Sequence, residues 1–298
     1  MGCPPTPLPL SLECTLRPFL FSSSPHFPSP SSTTFFSNTT TTLSLHKSRA
    51  LPLLKLLRRF SSPSVPQPVT PSPLDSPPWP GAFLGPDGLQ VLRDFRVTVE
   101  LGHRGGGGSG GFLEIRPMLA EELDATAQLL AESFAESMLV PARYVPLLAF
   151  LVKQYVAERR CLEPHVTVLV GFYRERGTEG AAQLACTAEI SLDARGANAA
   201  PPTPVPPREC PYICNMAVRK ALRRRRIGWH LLRACEELMT RMKTEKNVYL
   251  HCRVIDEVPF DMYQKAGYKV VKTDGFLVWL TLQRRKYLMS KELPHEIG

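Results

Sequence analysis

Residues 211–232, PYICNMAVRKALRRRRIGWHLL, set a strand-like run against a helix-like run with four consecutive arginines, Arg223 to Arg226, between them. A strand that enters a helix through a short loop leaves the first helical N–H groups without partners. With the positive end of the helix dipole behind them, those groups suit a phosphate. Gly228 would let a ligand come close to the backbone. A nucleic-acid-binding basic region would continue as a charged helix face, whereas here apolar residues resume at Ile227. A solvated charge run capping an ordinary helix is the plain alternative.

The flanking sequence supplies the elements that would hold this turn. FLEIRP reads as a short strand, and LAEELDATAQLLAESF places Leu123, Ala127, Leu130 and Phe134 at helical spacing. A second helix is expected over Arg143 to Arg160 with Pro146 in its first turn. HVTVLVGFY and QLACTAEISL are β-rich runs joined by RERGTEG, which predicts a hairpin. A Pro-rich insert, RGANAAPPTPVPPREC, separates that hairpin from the strand YICNMAV. Ile227, Leu231, Cys235, Leu238 and Met242 form one stripe of a helix, followed by a strand at NVYLHC and a short helix through PFDMYQKAG that ends at Gly267. YKVVKT and LVWLTL are expected to close the domain as strands. The order β-α-α-β-β-β-α-β-α-β-β predicts an α/β fold with a mixed central sheet flanked by helices.

The chain has 298 residues, 43% of them hydrophobic, which allows one medium domain with additions. Arg17, Lys47, Arg49, Lys55, Arg58 and Arg59 face only Glu13 within residues 1–74, so more than half of the formal net charge of +9 sits there. The remainder is mildly basic, which argues against nucleic acid as the partner. The eight cysteines include no CxxC pair, so neither a zinc site nor a disulfide framework is indicated. No apolar run approaches the roughly 18–20 residues that span a bilayer. Residues 1–74 are rich in Ser, Thr and Pro and nearly free of acids, the bias of a disordered plastid transit peptide. MGCPPT at the start also fits a myristoylation pattern, a rival reading of the same end. Residues 75–111, with SPPWPGAFLGPDG and GGGGSGG, read as a Pro/Gly-rich linker, and 112–298 as the folded domain.

The element order and two motifs resemble the GNAT superfamily of acetyl-CoA-dependent N-acetyltransferases, over about residues 112 to 289. The family's Arg/Gln-x-x-Gly-x-Gly/Ala signature reads Arg223-x-x-Arg226-x-Gly228 here, with arginine in place of the first glycine. The amide donors survive that change provided Arg226 keeps ordinary helical dihedrals. Its Asn-x-x-Ala-x-x-x-Tyr motif reads Asp256-x-x-Pro259-x-x-x-Tyr263, followed by QKAGY. Aspartate thus replaces an asparagine that touches the pantetheine arm, and that contact is left open. The resemblance implies acetyl-CoA as co-substrate and no metal. It implies that the backbone of Met216, Ala217 and Val218 pairs with the pantetheine amides. The N–H groups of Arg224, Arg225, Arg226, Ile227, Gly228 and Trp229 would hold the pyrophosphate, with Arg223 opening the motif.

Acetyl transfer to an amine needs an unprotonated nucleophile and a stabilised thiolate. A lysine of pKa ~10.4 is only about 0.4% neutral at pH ~8, a deficit near 3 kcal/mol, whereas an α-amine of pKa ~8 has almost none. By the same resemblance Tyr263 is the proton donor to the leaving thiolate. The strand pair YICNMAV and VYLHCR is similar to that of certain N-terminal acetyltransferases in which a Tyr and a His activate the amine through water; these are Tyr212 and His251. Strand alternation puts Val248, Leu250 and Cys252 on one face and Tyr249, His251 and Arg253 on the other. Glu189 is the fallback base. FAESMLVPARYV, between the first two helices, would form one wall of the acceptor site.

The layout and the basic ending RRKYLMSKEL also resemble plant plastid members of the family, a subgroup associated with both α-amine and lysine acetylation. The leading expectation is therefore a plastid stromal protein acetyltransferase acting on N-terminal α-amines, lysine side chains or both. Its substrates would be proteins or peptides, with no membrane partner and an open oligomeric state. A small-amine acetyltransferase and a non-catalytic acyl-CoA-binding protein are the alternatives.

Overall fold

In the computed structural model of the chain, residues 86–102, 110–177, 180–199, 203–275, 278 and 284–294 are described. The expected import segment and most of LVWLTL lie outside them. The elements run α1 (Pro86–Asp94), β1 (Val97–Leu101), β2 (Gly111–Pro117), α2 (Leu123–Met138), α3 (Val145–Arg160), β3 (Val166–Glu175), β4 (Gln183–Ser191), β5 (Tyr212–Val218), α4 (Ile227–Arg241), β6 (Asn247–Arg253), α5 (Glu257–Lys265), β7 (Lys269–Thr273) and β8 (Lys286–Glu292). They build an α/β fold on one mixed sheet of order β1-β2-β3-β4-β5-β6-β8-β7, in which β5 and β6 are the parallel pair.

Two apolar layers sandwich this sheet. On one face the α4 stripe of Ile227, Leu231, Cys235 and Leu238 packs with Leu113, Ile115, Leu169, Ile190, Val248 and Leu250. On the other, Ala127, Leu130 and Ala131 of α2 and Leu148, Val152 and Val156 of α3 pack with Val168, Val170 and Ala217. With both faces covered, β3 and β4 are buried along nearly their whole length, which explains their unbroken apolar runs. α3 begins with Pro146 in its first turn, where a missing N–H costs nothing. α2 stops at Leu139, which takes left-handed dihedrals (φ 57°) and turns the chain toward α3.

Two boundaries differ from the sequence reading. Within the stretch assigned as linker, α1 and β1 are ordered elements. β1 pairs with β2 from Val97–Ile115 to Leu101–Gly111, and Leu92 and Phe95 enter the core beside α4, so the sheet begins well before residue 112. FRVTVEL is strand-like in sequence, and the glycine-rich run after it assigns it to the linker; in the fold it pairs across that run with β2, the last pair, Leu101–Gly111, being ten residues apart. The strand between β6 and β7 is Lys286–Glu292, in the segment read as a basic ending. Its adjacent Leu288 and Met289 are both buried, so the period-2 signal that marks a half-buried strand is lost there. Among the described residues no helix is long and apolar enough to cross a membrane, and no group of three His, Cys, Asp or Glu could hold a metal ion.

Candidate active site

β5 and β6 pair at Tyr212–Tyr249 and Ile213–Leu250 and then part. The cause lies in β5. Its register against β4 runs Thr187–Ala217 and then Glu189–Cys214, so Asn215 and Met216 together face the single residue Ala188. Asn215 takes φ 50°, the left-handed region that asparagine tolerates better than most residues, and the extra residue bends the strand. Beyond the bulge the β5 edge is open. The Arg219 amide donates to the Ala185 carbonyl (2.8 Å), so by antiparallel alternation the backbone groups of Val218 point away from β4 toward that open edge.

The turn entering α4 closes one end of the fork. Both Arg224 (φ 68°) and Arg226 (φ 63°) are left-handed. Arg226 therefore holds the conformation a glycine would take, not the ordinary helical one on which the donors were expected to depend. It is the N-cap of α4, and its carbonyl accepts the His230 amide (3.1 Å). The amides of Arg224 to Trp229 take no acceptor among the described residues, as expected of a helix start that awaits an anion. A Cβ on Gly228 would lie 3.5 Å from Met262 Sδ and 3.6 Å from Val218 Cγ2, in ordinary contact. Its own packing does not demand glycine; the missing Cβ faces the cleft between β5 and α5. Unpaired amides, a bare Cα and an open strand edge thus fit the diphosphate and amide arm of acetyl-CoA.

The arginine side chains do not act as a group. Arg223 donates to both oxygens of Glu136 at the end of α2 (3.0 and 2.7 Å) and, through Nε, to the Val218 carbonyl (3.1 Å). Arg225 donates to the Tyr173 hydroxyl (2.9 Å) and stacks over that ring. Only Arg224 and Arg226 extend into solvent with no partner among the described residues. Burial, helped by the Arg226 charge, lowers the pKa of His230, which favours the neutral imidazole beside the turn. Asp256, expected at the pantetheine arm, is the residue before α5, but its carboxylate is taken by Arg253 Nε at 2.6 Å.

Tyr263 is buried on α5, and its hydroxyl donates to Met216 Sδ across the fork at 3.6 Å. Burial, with smaller contributions from Cys252 and Cys235, pushes its pKa above the usual tyrosine value. Tyr212 and His251 meet where β5 and β6 diverge, with Tyr212 Oη 2.8 Å from His251 Nδ1. His251 Nε2 lies 2.8 Å from the Pro204 carbonyl, which can only accept. Nε2 therefore carries a proton, and in the neutral ring Nδ1 is the lone pair that receives the tyrosine O–H. As the alternation required, Val248, Leu250 and Cys252 enter the core while Tyr249, His251 and Arg253 stay half exposed.

Glu189 does not fit the part of fallback base. It is buried, not exposed, and its carboxylate accepts from Tyr155 (2.8 Å), Arg159 Nε (2.7 Å), Asn198 (3.0 Å) and Asn215 (2.7 Å). Such a carboxylate has its lone pairs already occupied by four donors. Asn198, Asn215 and the Pro204 carbonyl had no sequence signal of their own. A polar asparagine inside an apolar strand, where it has low β-propensity, was the one available hint.

Residues 153–268 match the acetyltransferase (GNAT) family. The chain is 52% identical over 222 residues to GCN5-related N-acetyltransferase 5, chloroplastic, of Arabidopsis thaliana, covering 72% of this chain and 67% of that protein. The chain belongs to the GNAT acetyltransferase family. As a GNAT enzyme it transfers acetyl groups, and acetyl-CoA is the donor that GNAT acetyltransferases use. GCN5-related N-acetyltransferase 6, chloroplastic, also from Arabidopsis thaliana, is 37% identical over 65 residues, 22% of each chain. Among solved structures, the ribosomal-protein-S18-alanine N-acetyltransferase of Escherichia coli aligns with a TM-score of 0.42 at 12% identity, over 62% of this chain and 96% of that one.

Proposed function

We propose that this GNAT enzyme acetylates protein amines, N-terminal α-amines and lysine ε-amines, inside the plastid. The observation that carries the reading is the Tyr212–His251–Pro204 chain of hydrogen bonds at the fork of the sheet. Both classes of amine must shed a proton to attack, and lysine needs the more help. Acetyl-CoA, when bound, supplies the activated acyl group. The β5 edge at Met216, Ala217 and Val218 would receive its arm, with the Val218 carbonyl giving up its bond from Arg223 Nε, and the amides from Arg224 to Trp229 would receive its phosphates. Tyr212 takes the proton from the amine, directly or through water, while passing its own to His251 Nδ1. The resulting imidazolium is stabilised through Nε2–H by the Pro204 carbonyl. Tyr263, kept protonated by burial, gives the departing sulfur its hydrogen. The amine proton lost on one side is thereby matched by a thiol proton gained on the other.

A protein acceptor is supported by the wall beside this fork. Leu139 and Tyr144 in the α2–α3 connection and Leu147 and Phe150 in the first turns of α3 are exposed apolar residues, where a small-amine site would be closed and acidic. Plastid location is supported by the Ser/Thr-rich, acid-poor residues 1–74 and by the chloroplastic relative. Incubation with acetyl-CoA and a peptide library, read by mass spectrometry of N-termini and lysines, tests the proposal. Acetyl on peptide amines is expected; turnover confined to small amines would overturn it.

A further inference from the structure

The mechanism above makes no use of the most densely bonded polar group among the described residues. Glu189 on β4, Tyr155 and Arg159 on α3 and Asn198 in the insert between β4 and β5 form one buried cluster, joined by the half-buried Asn215 at the bulge. The Tyr155 hydroxyl, donating to Glu189, also accepts from Asn198 (3.0 Å) and Asn215 (3.1 Å). Arg159 reaches on to Ser191 Oγ (3.1 Å) and to the Gly196 carbonyl. α3, β4 and the insert are thus joined in one network around the β5 residue whose backbone is left-handed.

We infer that Glu189, held by Arg159 and Tyr155, is a positioning residue that clamps Asn215 in the bulge and so fixes the open β5 edge on which coenzyme A is placed. Left-handed backbone is disfavoured for any residue with a Cβ, so it persists where the surroundings over-determine it. Here the asparagine side chain is the handle: its Nδ2 is bonded at once to Glu189 and to Tyr155. Released from that grip, Asn215 would relax toward extended dihedrals, the extra residue would be absorbed, and β5 would swing toward β6 and narrow the fork. The same cluster holds Asn198, in the insert that also carries Pro204, whose carbonyl sets the His251 tautomer. Tyr155 is held protonated by burial and by the Glu189 charge, consistent with a donor to Glu189.

The inference rests on the coenzyme placement proposed above, and the test reads coenzyme binding apart from turnover on any acceptor. Full-length Glu189→Gln, Asn215→Gly and the double variant are titrated with coenzyme A by calorimetry, and their acetyl-CoA KM and pH–rate profiles are measured. Glycine takes φ 50° freely, so Asn215→Gly removes the handle without imposing strain. It also decides the matter if Glu189→Gln, which leaves Arg159 without its counter-charge, fails to fold. Each single variant should bind coenzyme A about tenfold more weakly, with the inflections of the pH profile unmoved. The double variant should be no weaker than the worse single one, because both cut the same clamp. Wild-type coenzyme affinity in folded Asn215→Gly would overturn the inference. So would a Glu189→Gln enzyme that binds coenzyme normally but loses kcat and an acidic limb of its profile, which would make Glu189 a base. A wild-type chain that takes up no coenzyme A would remove the site itself, and the clamp's role with it.

Discussion

The Tyr263 hydroxyl points across the open fork of the sheet to Met216 Sδ, 3.6 Å away. A thioether is a weak acceptor, so this buried phenol is held by little and stands ready for a better one. A thiolate leaving beside Met216 would be such an acceptor. Tyr263→Phe keeps the packing and removes only the hydrogen, and should lower kcat by roughly 10²-fold while leaving coenzyme A affinity nearly unchanged. The pH dependence follows from the same burial. A tyrosine whose pKa is raised above its usual 10.0 stays protonated, and therefore able to donate, throughout the range below that value. The wild-type rate should rise with pH as the acceptor deprotonates and show no descending limb below about pH 10. A fall near pH 9, or a Phe variant of equal activity, would remove Tyr263 from this role.

Tyr212 and His251 form the second proton path, and its value depends on the acceptor. An α-amine of pKa ~8 is about half neutral at pH ~8, whereas lysine starts about 3 kcal/mol short. His251→Ala should therefore depress kcat/KM for lysine acceptors at least tenfold more than for α-amine acceptors at pH 7–8. Tyr212→Phe should do the same, and combining the two should add little, because each breaks one hydrogen-bonded unit. Rates measured on matched peptides with a free N-terminus or a single lysine would decide; an unchanged ratio would count against the pair as base.

What could be read from sequence divides along physical lines. Helices α2 and α4 announce themselves because their buried residues recur at helical spacing, and the strand–turn–helix at 212–241 follows from YICNMAV, the arginines and the Ile227 stripe. His251 could be placed opposite the core because β6 is half buried and alternates. Side-chain partners were beyond reach. Arg223 and Glu136 are 87 residues apart and Glu189 and Asn215 26 apart, and only the folded sheet makes them neighbours. The fate of the arginine run could not be read either, since adjacent side chains leave a tight turn in different directions. Two of the four find fixed partners, Glu136 and Tyr173, and two do not.

Acid stability should depend on a pair far from the chemistry. Arg116 on β2 donates to both oxygens of Glu122, one at 2.8 Å, and the Leu119 amide adds a third bond at 2.8 Å. Burial opposes the Glu122 charge, but these bonds outweigh it and leave its pKa below the usual carboxylate value. A carboxylate whose folded pKa is lowered contributes stability that is present above its unfolded value, near 4.3, and lost as pH falls through the folded value. Glu122→Gln should cost about 1–3 kcal/mol at pH 7 and little once the wild-type carboxylate is protonated. Urea unfolding over a pH series from 7 downward measures both; a loss that stays constant across the whole series would mean packing, not charge.

Arg226 carries a conformational cost that a smaller residue would lift. Its φ of 63° is what the family's glycine would adopt, and for a residue with a Cβ the left-handed region costs roughly 1–2 kcal/mol. Glycine recovers that, less the roughly 0.4–1 kcal/mol by which it loosens the unfolded chain. Arg226→Gly should therefore raise stability by about 0.5–1 kcal/mol, and Arg226→Ala, which keeps the Cβ, should not. If the amides from Arg224 to Trp229 grip the diphosphate, neither change should weaken coenzyme A binding by more than about threefold, the share of one exposed cation. Calorimetry at low and at physiological salt separates the two contributions. A tenfold loss in Arg226→Gly that vanishes in salt would assign the grip to the guanidinium instead, and the arginine would then have been kept for its charge at the expense of the turn.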